Sequence, residues 1–102
     1  MKLTPGSRWN SAVCDTEVVV IRPAKSDAQI ECGGTVMVPH GTAKPPGGSP
    51  VPGRDAGTLL GKRYGDEELG LEVLCSKAGK GTLSINGRLM ALRATVALPS
   101  SD

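Results

Sequence analysis

The sequence predicts an all-β fold, a small barrel or sandwich of about six short antiparallel strands. Three observations predict it. Several stretches alternate apolar and polar residues with a period of two. The 14 glycines and 8 prolines gather into turn-like clusters, and no stretch keeps a helical period free of them. The 102 residues suit a single domain spanning 1–102, since compact domains commonly hold about 100 to 150 residues.

Residues 12–22 place Ala12, Cys14, Thr16, Val18 and Val20 on one face, with Asp15 and Glu17 on the other. The β-branched run Val18 to Ile21 favours a strand, and Pro23 ends it. A turn at Lys25, Ser26 and Asp27 leads to residues 28–38, where Ala28, Ile30 and Cys32 alternate against Gln29 and Glu31. This spacing predicts an antiparallel hairpin between the two stretches. Gly33-Gly34 predicts a bulge or a close approach of another backbone before Val36, Met37 and Val38.

Between Pro39 and Gly57 stand five prolines and five glycines, with little that is apolar, so 39–57 is expected to be an exposed, flexible loop. Leu59 to Gly65 is ambiguous, and Asp66-Glu67-Glu68 reads as a solvated run. From Leu69 the alternation returns, with Leu69, Leu71, Val73 and Cys75 on one face. Asn86-Gly87 is then the preferred two-residue hairpin turn, because both of its positions need positive φ. That register sets Leu83 opposite Met90 and Ser84 opposite Leu89, and it turns Leu83, Met90 and Leu92 to the core, with Val96 and Leu98 in phase.

Residues 71–99, which run from Leu-Glu-Val-Leu-Cys through a Gly-Lys-Gly turn and Asn-Gly to Ala-Leu-Pro, resemble the central strands of a cupin. The resemblance implies β-hairpin geometry. It carries over no catalytic or metal-binding residue, because the histidines and glutamate of that family have no counterparts in this sequence.

Composition narrows the function. With 12 basic and 10 acidic residues the net charge of +2 selects no partner, and nucleic acid is not implied. Lys77, Lys80, Arg88 and Arg93 lack the interleaved aromatics of a single-strand binder. Only Trp9 and Tyr64 are aromatic, so the core must be largely aliphatic, and reinforcement by a partner chain is expected. No apolar stretch approaches the ~18 residues of a membrane span, and the odd cysteine count suits a cytoplasmic protein with reduced thiols. Ala-Gly-Lys-Gly-Thr at 78–82 is not a phosphate loop. Lys80 is followed by Gly81 rather than Ser or Thr, and Leu74 stands where the first glycine belongs.

The chemistry rests on Cys14, Cys32 and Cys75, all on the apolar phase of alternating stretches, and on His40, the single histidine. Converging, they would form a Cys3His site for zinc, although no close Cys-x-x-Cys pair supports it. Apart, the cysteines are small core residues. As a reactive thiol, Cys75 stands first because Lys77 and Lys80 follow it, and Cys32 second because two glycines follow it. No Ser/His/Asp or Cys/His signature surrounds His40. The leading expectation is a non-enzymatic binding or accessory protein that contacts a protein partner or a second copy of itself. A structural zinc protein and a thiol-dependent enzyme or redox protein follow.

Overall fold

The computed structural model describes residues 3–44 and 48–93. Within them lie ten short strands and no helix. The strands are β1 (Arg8–Asn10), β2 (Glu17–Arg22), β3 (Ile30–Cys32), β4 (Thr35–Val36), β5 (Val38–Pro39), β6 (Arg63–Asp66), β7 (Leu71–Lys77), β8 (Leu83–Ile85), β9 (Arg88–Leu89) and β10 (Ala91–Arg93). They form two antiparallel sheets. One has six strands in the order β10-β6-β7-β2-β1-β5, and the other has four in the order β4-β3-β8-β9. Neither sheet closes into a barrel.

The alternation read along the chain is what builds the core. Val18 and Val20 on β2 face the interior with Leu71, Val73 and Cys75 on β7, and Val18 pairs directly with Cys75. The second sheet adds Ile30, Cys32, Leu83 and Ile85, all 2% exposed or less, to the same apolar cluster. Both aromatics join it, each with its polar end satisfied. Trp9 Nε1 donates to Ser7 Oγ at 3.1 Å, and Tyr64 Oη accepts from the Leu59 amide at 2.9 Å.

The hairpin expected between 12–22 and 28–38 does not form. Both edges of β2 are occupied, by β1 and β7, so β3 has no ladder to join there. The chain instead crosses to the other sheet, tied on the way by Lys25 N to Leu69 O at 2.7 Å and Gln29 N to Asn86 Oδ1 at 2.8 Å. Gly33 and Gly34, with φ of +67° and +85°, form the two-residue turn between β3 and β4 rather than a bulge. The expected close approach is present. A Cβ on Gly33 would stand 2.7 Å from Val13 Cγ2 and 3.1 Å from Pro50 Cα.

The Asn86-Gly87 hairpin has the expected register, with Ser84 opposite Leu89 and positive φ at both turn residues. Leu83 and Met90 are buried as expected, but Leu92 is 54% exposed, because the chain leaves this sheet after β9 and β10 becomes an edge of the other. Val96 and Leu98 lie outside the described residues. Of the acidic run, Glu67 and Glu68 are solvated while Asp66 is buried. Its carboxylate accepts from the Leu69 amide at 3.0 Å and from Arg88 at 2.8 and 3.0 Å, and the guanidinium holds it below the usual carboxylate range.

Of the expected 39–57 loop, Pro39 belongs to β5 at the edge of the six-stranded sheet, and the stretch from Val51 to Ala56 runs along the second sheet. Val51 N donates to Gly33 O at 3.0 Å, Thr82 N to Arg54 O at 2.9 Å, and Ala56 N to Thr82 Oγ1 at 2.8 Å. No helix among the described residues is long and apolar enough to cross a membrane.

Candidate thiol site

Residues 11–16 connect β1 to β2 without ladder bonds of their own, and the Ser11 amide closes this loop on the Thr16 carbonyl at 2.8 Å. Ser11 and Thr16 are fully buried polar residues, an uncommon use of interior space in so small a core. Their hydroxyls are satisfied inside the loop. Ser11 Oγ accepts the amides of Val13 and Cys14, both at 3.1 Å, and this leaves its own proton free to point elsewhere.

Sulfur lies within its reach. Cys14 Sγ lies 3.2 Å from Ser11 Oγ, 3.3 Å from Thr16 Oγ1 and 3.3 Å from the donating Gly81 amide. As a thiol, Cys14 can donate to either hydroxyl. As a thiolate, it accepts from both hydroxyls and from the amides of Thr16 and Gly81. Burial raises its pKa, but these donors outweigh burial and lower it from 9.0 to about 7. The Lys44 ammonium, which donates to the Cys14 carbonyl, brings a positive charge to the same loop.

Cys32 ends β3 with its sulfur 3.8 Å from Cys14 Sγ. Burial pushes its thiol up to about 11, the charge of Cys14 adding to the effect, so Cys14 ionises well before Cys32. Cys75 is buried in β7 and also raised, first by burial and further by Cys14, while its S–H donates to the Lys77 carbonyl at 3.2 Å. Lys77 thus meets Cys75 through its backbone oxygen. The thiol poised for ionisation is Cys14 and not Cys75, since hydrogen-bond donors at the sulfur count for more than lysines nearby in sequence.

His40 lies elsewhere. Its Nδ1 is 2.8 Å from Glu17 Oε2 and 3.3 Å from Asn10 Oδ1, and Arg8 donates to its Nε2 at 2.9 Å. Arg8, Asn10 and Glu17 project from the outer face of the six-stranded sheet, opposite to Trp9 and Val18, whereas Cys75 projects inward. A layer of backbone therefore separates the imidazole from the sulfurs. Among the described residues no group of three or more His, Cys, Asp or Glu is placed to hold a metal ion. Of the four residues singled out in the sequence, Cys14 and Cys32 are brought into contact, Cys75 stands near them, and His40 is apart.

Sequence reasoning missed Ser11, Thr16, Gly79 and Gly81. Gly79 and Gly81 bring a stretch of backbone against the sulfurs. A Cβ on Gly79 would lie 2.3 Å from Thr16 Oγ1, and one on Gly81 would lie 2.7 Å from Cys32 Sγ. The available signal was Ser-x-x-Cys-x-Thr, with two hydroxyl residues flanking a cysteine in an otherwise apolar phase.

Comparison with protein-family models, with curated proteins and with solved structures finds no match to this chain.

Proposed function

We propose that this protein is a thiol redox protein in which Cys14 is the nucleophile and Cys32 its partner in a reversible disulfide. The observation that carries the reading is the 3.8 Å contact between the two sulfurs, made where four donors converge on Cys14. With a small disulfide as oxidant, the Cys14 thiolate attacks one sulfur and expels a thiolate. Cys32 then loses its proton, attacks Cys14 Sγ and expels the second thiolate, so two electrons pass from the protein to the reagent. Closing the bond takes the sulfurs from 3.8 Å to ~2.05 Å. Cys32 is held by strands on both sides, so the irregular 11–16 loop supplies the movement. The cytoplasmic placement suggested by the cysteine count goes with this reading, since its thiol pool would return the pair to the reduced state. Oxidised dithiothreitol or diamide is expected to remove two hydrogens from the chain and to link Cys14 to Cys32 in a non-reducing peptide map. A map that pairs neither residue with the other would sink the proposal.

A second reading, contact with another copy of this chain, is favoured by a separate surface. Leu89 and Leu92, each 54% exposed, line an open groove of about 600 Å³ with Gly65, Asp66, Glu67 and Arg93. Among the described residues β9 and β10 are the end strands of their sheets, and both adjoin it. Sedimentation is expected to show a dimer that a Leu89→Glu, Leu92→Glu double variant dissociates. A wild-type chain that stays monomeric at high concentration removes this reading.

A further inference from the structure

Resting on the dithiol reading above, we infer that the oxidant of the Cys14–Cys32 pair is a small hydroperoxide, with a sulfenic acid on Cys14 as the intermediate and Cys32 as the resolving thiol.

The shape of the site selects the oxidant. On one side of the two sulfurs the backbone from Gly79 to Gly81 lies so close that a single added methyl would overlap Thr16 or Cys32. Cys32 is fully buried, and Cys14 is only partly open. A peptide or glutathione disulfide needs its three sulfurs nearly in line and bulk on both sides of the attacked bond. A hydroperoxide presents one oxygen to sulfur and needs only hydrogen-bond partners for the other.

Those partners are in place. Ser11 Oγ, 3.2 Å from Sγ, accepts Val13 N and Cys14 N and can turn its own proton to the sulfur once Cys14 is a thiolate. Thr16 Oγ1 and the Gly81 amide approach the same sulfur, each at 3.3 Å. Donors that hold the thiolate before reaction can turn to the departing oxygen as the O–O bond breaks, without reorganising water. The Cys14 thiolate attacks the proximal oxygen, an S–O bond forms, and the O–O bond cleaves. The distal oxygen leaves as hydroxide, or as alkoxide from an organic peroxide, and takes up a proton, leaving Cys14 as S–OH. Cys32 then attacks Cys14 Sγ, the S–S bond forms and the S–O bond breaks. The oxygen departs as water with the Cys32 thiol proton.

The pair is also asymmetric in its return. A reducing thiol can reach only the partly open sulfur of Cys14, and attack there expels Cys32, a poor leaving group because its thiol is pushed up to about 11.

The test treats the reduced full-length chain with hydrogen peroxide near neutral pH and follows its mass without reductant. The expected result is loss of two hydrogens, at least tenfold faster than in the same chain unfolded in urea. In Cys32→Ser, dimedone should trap a sulfenic acid on Cys14, and Cys14→Ser should give neither product. Thr16→Val, or Ser11→Ala if the former fails to fold, should slow the native reaction at least fivefold. If oxidised dithiothreitol forms the disulfide while peroxide reacts no faster than with the unfolded chain, the hydroperoxide assignment is overturned and the dithiol reading stands. If neither reagent links Cys14 to Cys32, both fall.

Discussion

Gly79→Ala is expected to lower stability by about 3 kcal/mol or to prevent folding, a large effect for one methyl group. Gly79 is not among the residues with positive φ, so the cost is one of space and not of backbone conformation. Its Cβ would stand 2.3 Å from Thr16 Oγ1 and 2.5 Å from Thr16 N, and the second of these is backbone that cannot rotate away. The proper control is Gly61→Ala. There φ is +78° with nothing within 4 Å, so only backbone strain of about 1 kcal/mol applies. Urea denaturation of both variants checks the difference, and a Gly79→Ala chain as stable as Gly61→Ala would contradict the packing described at the thiol site. In any folded fraction the displaced Thr16 should also return Cys14 toward an ordinary thiol.

Native-state alkylation should label Cys14 first, with a pH–rate midpoint near 7, while Cys32 and Cys75 react only on unfolding. At pH 7 about half of Cys14 is thiolate, against about one in a hundred for a thiol at 9.0, a gain of about fiftyfold. A less basic thiolate is also a weaker nucleophile, which takes back about eightfold, so the net gain over an ordinary cysteine is about sixfold. The midpoint is therefore a sharper signature than the rate, and one near 9 would refute the donor arrangement at Cys14. The same shift links to stability. The folded pKa lies below the unfolded one, so unfolding between pH 7 and 9 takes up a proton. Stability from this source is full above about 9 and is lost as pH falls through 7. Cys32, raised to about 11, acts in the opposite sense and lowers stability once pH exceeds 9. Urea midpoints should rise from pH 7 to 9 in the wild type, and Cys14→Ser should flatten that rise.

The sequence ranked Cys75 first and Cys32 second as reactive thiols and did not single out Cys14 as one, for a physical reason. Lys77 and Lys80 are near Cys75 along the chain, but what tunes a thiol is the number of hydrogens aimed at its sulfur. For Cys14 these come from Ser11, Thr16 and Gly81, the last of them 67 residues away. Such a partner leaves no local pattern. Asp66 was misread for the same reason, since its partner Arg88 belongs to another sheet.

Local physics determined much by itself. The period-two alternation of Val18, Val20, Leu71, Val73 and Cys75 chose which side chains face inward, because a strand has only two faces. Asn86-Gly87 set its hairpin register, because few dipeptides tolerate positive φ at both positions. Apart from that hairpin, the strand partners were decided by the tertiary structure. β3 joins β8 and not β2, since β2 already has a neighbour on each edge, and a ladder has no third side. That choice also brought Cys32 to Cys14 and left His40 beyond a sheet, through contacts between residues whose separation along the chain carries no periodic signal.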